Sequence, residues 1–103
     1  MATIGTFTAK DGKLTGKIQT LTLNTALTFL PNESQSSPDA PAYRAFAGRT
    51  EVGAAWEKTS ENTGRTYHAV KLDDPTFAAP IYANLIEQED GGFALIWSRP
   101  RRD

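Results

Sequence analysis

The sequence predicts an all-β fold, a small antiparallel barrel or sandwich built from hairpins with at most one short helical turn. Three observations lead there. Asp11-Gly12 separates two alternating runs, and Asp90-Gly91 separates two more. An Asp-Gly pair in that setting favours the type I′ turn, which needs positive φ at both central residues. No window carries a helical period, and short strand-like runs recur between turn signals.

The bulk properties suit such a fold. At 103 residues with 39% hydrophobic content, the chain reads as one β domain over residues 1–103, able to bury a core without staples. It has no cysteine, which removes disulfides, thiolate metal sites and thiol nucleophiles. The start of the chain lacks the basic-then-apolar order of a signal peptide. No apolar run reaches membrane-span length. A cytoplasmic protein with no membrane partner is expected. The net charge of −1 gives little general attraction for nucleic acid. Acidic groups gather at Asp73-Asp74 and Glu87-Glu89-Asp90, while a basic tail occupies residues 99–103.

In chain order, Thr3–Lys10 and Leu14–Leu21 form the first hairpin. With Asp11-Gly12 as the turn, Lys10 pairs Lys13 and Phe7 lies opposite Gly16, an aromatic ring covering a cross-strand glycine. Phe7, Leu14 and Ile18 share one face, and Ile4, Thr6, Thr8, Thr15 and Lys17 the solvent face. The apolar residues then change parity, to Leu21, Leu23, Leu27 and Phe29, so a turn or bulge is expected near Gln19–Thr20. That strand ends before Pro31. Residues 31–41 are a proline-, serine- and acid-rich loop with nothing to bury, read as flexible.

Strands follow at Tyr43–Ala47, Glu51–Lys58 and Arg65–Leu72, the last two joined by the polar turn Ser60–Gly64. Val52, Ala54 and Trp56 alternate toward one face. On the return strand His68, Val70 and Leu72 share one face, and Arg65, Tyr67 and Lys71 the other. Asp73-Asp74-Pro75 ends that strand. Ile81–Glu87 and Phe93–Trp97 form the last hairpin. A two-residue Asp90-Gly91 turn sets Glu89 opposite Gly92 and Leu85 opposite Ile96. Tyr82, Ile86 and Trp97, with Arg99 beyond, then fall together.

The chemistry-bearing residues point away from catalysis. His68 is the only histidine, is expected on a core-facing side, and has no nucleophile–base set around it. Asp73 and Asp74 are neighbours on extended chain, point apart, and read as a corner. No glycine-rich phosphate loop occurs. No enzyme activity, metal or cofactor is expected. An aromatic flanked by cations is what a single-stranded nucleic-acid platform requires, because bases stack on the ring while phosphates meet the cations. The candidate binding residues are Arg65, Tyr67, Lys71, Tyr82, Trp97, Arg99, Arg101 and Arg102. The second reading is a protein-binding module or homo-oligomer, acting through an exposed strand edge or the apolar Tyr82/Ile86/Trp97 face.

Several blocks carry a family resemblance. MATIGTFT, AYRAFAGRTEVGAAWEKTSENTGRTY, VKLDDPTFAAPIYANL and LIWSRPRRD together resemble the bacterial domain-of-unknown-function 736 family along essentially the whole chain. Departures lie at Ala78 and at His68-Ala69. The resemblance implies a small cytoplasmic protein encoded on plasmids or other mobile elements. It brings no catalytic residues.

Overall fold

The computed structural model describes residues 2–32 and 39–97. Eight antiparallel strands run up and down in sequence order: β1 (Ala2–Lys10), β2 (Lys13–Gln19), β3 (Asn24–Pro31), β4 (Tyr43–Ala47), β5 (Thr50–Thr59), β6 (Thr66–Leu72), β7 (Ile81–Glu87) and β8 (Phe93–Trp97). β8 pairs back to β1, closing the barrel. No described strand presents an open edge, so the expected docking site at an exposed strand edge is not there. Closure satisfies every ladder internally and removes the template for strand addition. The described regular structure is all strand. No helix among the described residues is long and apolar enough to cross a membrane.

The first hairpin forms as its turn residues dictate. Asp11 and Gly12 both take positive φ, 55° and 81°, and the register sets Lys10 against Lys13 and Phe7 against Gly16. Phe7 fills the barrel beside Phe29, ring centroids 5.2 Å apart and edge to face. Large residues from β1–β3 and β6–β8 meet small ones, Ala45 and Ala55, from β4 and β5. Alternating bulk of this kind fills a narrow barrel. No polar or charged side chain of the described residues is buried.

Two bulges change which side chains point inward. The β1–β8 register shifts between Thr3 and Gly5, and the extra residue turns Ile4 into the core instead of leaving it on the solvent face with Thr6. The β4–β5 register shifts between Ala45 and Phe46. Val52 therefore packs against the core, and Ala55 is buried while Trp56 faces outward. Val52, Ala54 and Trp56 thus do not share a face.

The parity change between β2 and β3 is a turn. Thr20 N donates to Leu23 O at 2.7 Å and Leu23 N donates to Thr20 Oγ1 at 3.1 Å. Leu21 stands at its tip, fully exposed, not in a strand. β3 runs one residue further than expected, with Pro31 opposite Tyr43. The loop expected at 31–41 falls partly on residues 33–38, and the basic tail at 99–103, with its candidates Arg99, Arg101 and Arg102, lies outside the described residues.

The last hairpin differs from the sequence reading by one register step. Gln88 N donates to Gly92 O at 2.7 Å, so Glu89, Asp90 and Gly91 form a three-residue loop. Of these, Gly91 alone takes positive φ, 87°, as a type I turn followed by a glycine requires. Leu85 consequently faces Leu95, not Ile96, and Glu87 faces Phe93. A one-step change moves every side chain of one strand to the other face. Trp97 now packs against the core, whereas Tyr82 is outside and 56% exposed.

Candidate nucleic-acid interface on the outer face of β5–β7

The outer face of β5, β6 and β7 gathers the aromatic and basic groups. The ladders set them in rows. Ala54, Lys71 and Tyr82 form one row, Trp56, Ala69 and Asn84 the next, and Lys58 pairs Tyr67 in a third. Ala69, in the middle, has only a methyl group. The result is a shallow groove floored by Ala69, with Trp56 on one side and Tyr82 on the other. Asp39, Ala40 and Ala42 border it where the chain returns toward β4. Glu57 also lines it beside Lys58, so that lysine has an acid near it, while Lys71 lies by the Tyr82 ring.

Each wall is held. The Trp56 indole Nε1–H donates to the Asp39 backbone oxygen at 2.9 Å, which fixes the ring plane against the returning chain. Lys71 Nζ lies 5.9 Å from the Tyr82 ring centroid, within cation–π range. From strand spacing and rise, Trp56 and Tyr82 are about 12 Å apart at their Cα atoms. Two rings can therefore each engage a separate flat group, with Lys71 between them.

Of the sequence candidates, Tyr67, Lys71 and Tyr82 come together here. Trp97 does not, because the three-residue loop turns it inward. Arg65 precedes β6, its carbonyl oxygen accepting from Ser60 N at 2.8 Å. It shares a cleft with Glu87, Glu89 and Asp90, so its charge faces acids instead of adding to the Lys71 surface. Trp56 and Lys58 were missed. The signal was present: Ser60 pairs Arg65 across the turn, and counting back along both strands sets Trp56 opposite Ala69.

His68 points to the barrel side, across β6–β7 from the buried Leu85. It is half-buried and packs edge to face against Tyr43, centroids 5.2 Å apart. Burial lowers its pKa below the ordinary histidine value, partly opposed by Glu57. Asp74 caps the corner after β6. Its carboxylate accepts from Thr76 N at 3.0 Å and from the Thr76 hydroxyl, and these bonds lower its pKa. The corner reading of Asp73-Asp74 therefore stands, and a turn centred on Pro75-Thr76 follows it, Phe77 N donating to Asp74 O at 2.9 Å.

Comparison with known proteins adds the lineage and no activity. Neither a curated protein nor a solved structure is significantly similar to the chain. A family model described as "Protein of unknown function (DUF736)" matches residues 3–100. That span takes in all eight strands except Ala2 and agrees with the resemblance carried by the sequence blocks, so the chain belongs to the DUF736 family.

Proposed function

We propose that this protein is a non-enzymatic binding protein whose outer β5–β7 face takes single-stranded nucleic acid, as an accessory of the mobile elements the family resemblance implies. The observation that carries the reading is the groove around Ala69, with Trp56 and Tyr82 as separated aromatic walls and Lys58 and Lys71 beside them. Bases stack on such rings at about 1–3 kcal/mol each, and the lysines meet phosphates. A duplex offers its bases only edge-on in its grooves, so its stack gives these rings nothing to lie against. The acidic overall balance makes the binding local to this face and weak at high salt.

The test is a titration of a labelled oligothymidine at low salt, following Trp56 fluorescence in a Trp97→Phe background. Saturable quenching that Tyr82→Ala and Lys71→Ala each weaken supports the reading. No binding at low salt, where phosphate contacts are strongest, overturns it.

A further inference from the structure

The other notable surface is the barrel end carrying the β2–β3 and β4–β5 turns. Its mouth is a cleft of about 240 Å³, apolar along Ile18, Leu23, Leu27, Val52, Leu72 and Phe77, with Asp74 and three threonines also lining it. The floor reaches core residues, and Phe77 packs over it from the β6–β7 connection. On the same end Leu21 projects, fully exposed. Leu21 is the most exposed large apolar side chain among the described residues. It is presented on a turn closed by the two hydrogen bonds between Thr20 and Leu23.

We propose that this end of the barrel docks on the same end of a second copy of the chain, Leu21 of each copy seating in the mouth cleft of the other. Three features select a second copy as the occupant. A two-fold contact is self-complementary, so it requires a projection and a matching recess on one surface, and Leu21 and the cleft share one end. The closed barrel offers no described strand edge, so association uses an end or an outer face. The rim also carries both charge signs, Arg49 in the β4–β5 turn and Asp73 after β6, both exposed. A two-fold docking can set each Arg49 toward the second copy's Asp73, which favours the paired arrangement over random contact. Because the Leu21 turn is already ordered, little conformational freedom is lost on docking. This surface is separate from the β5–β7 groove, and the inference does not depend on the nucleic-acid reading.

The experiment is sedimentation velocity of the full chain over a concentration series from micromolar to millimolar. The wild-type chain is expected to pass from monomer to dimer. Leu21→Asn removes the projection, and Thr50→Trp, at an exposed rim position lining the cleft, fills the recess. Each variant alone is expected to weaken dimerisation about 100-fold or more, since each removes both apolar contacts. Both positions are exposed, so thermal melts at the micromolar end, where the wild type is monomeric, should match the wild type and show that folding is intact. Mixing the two variants restores one Leu21-in-cleft contact, and the mixture is expected to associate more tightly than either variant alone. A wild-type chain that stays monomeric throughout overturns the proposal. So do variants that dimerise like the wild type, and so does a mixture no tighter than its components.

Discussion

Phe7 lies across the β1–β2 ladder from Gly16 and covers it. A Cβ at Gly16 would sit 2.8 Å from Phe7 Cδ2 and would overlap the Thr6 backbone oxygen. The glycine is there because two strands and a ring converge on one point inside a narrow barrel. Gly16→Ala should therefore destabilise the fold by about 3 kcal/mol, the range of overpacking in a well-filled core. For a chain of this size that lowers the melting temperature by more than about 10 °C. Gly12→Ala meets no atom within 4 Å and carries only the backbone cost of positive φ, about 1–2 kcal/mol. A thermal melt in which Gly12→Ala is the worse of the two contradicts this account.

Phe29 has no exposed surface and meets Phe7 edge to face. Phe29→Ala leaves a void between β2, β3 and β4 that the small Ala45 opposite cannot fill. The expected loss is about 3–5 kcal/mol. Urea denaturation checks it, with a lower midpoint and an unchanged slope expected if the native state stays compact.

His68 is held below its ordinary pKa, chiefly by burial, so the folded state binds its proton less readily than the unfolded chain does. With a depressed folded value, its contribution is fully present above the unfolded pKa of about 6.5 and is lost as pH falls through the folded value. Melting temperature should decline on going from about pH 8 to about pH 5. His68→Gln should flatten that decline. The carboxylates of Glu51 and Asp74, both held below their ordinary values, titrate below this window and leave it clean. A His68→Gln variant with the wild-type slope shows that the pH dependence lies elsewhere.

At the β5–β7 groove, Tyr82→Ala should weaken oligothymidine binding about 10-fold, from the loss of one stacked base. Lys71→Ala should instead act through charge. It should lower the slope of log affinity against log salt by about 0.7, the single-strand value for one phosphate contact. Arg65→Ala should leave both quantities close to wild type, because Arg65 lies beside Glu87, Glu89 and Asp90. An Arg65 effect as large as that of Lys71 moves the interface toward the β7–β8 turn.

Sequence alone determined the all-β class, the Asp11-Gly12 hairpin with its residue-by-residue register, the bounds of β4 and β7, and the inward side of His68, Val70 and Leu72. Each of these is local. Turn residues demand particular φ angles, and alternation of period two assigns faces as long as the count is unbroken. Tertiary structure decided what depends on a count being broken or a ring being closed. The bulges at Ile4 and Val52 each add one residue that no local preference announces. The three-residue loop at Glu89–Gly91 and a two-residue turn at Asp90-Gly91 are both compatible with an Asp-Gly pair, and the single step between them moved Trp97 inside and left Tyr82 outside. Closure itself is a property of all eight strands, since only the accumulated twist and stagger of the sheet bring β8 to β1. Around Ala69, the count back from the Ser60–Gly64 turn gives the β5–β6 half, Trp56 and Lys71, and only the β6–β7 register across the longer Asp73–Pro80 connection adds Tyr82.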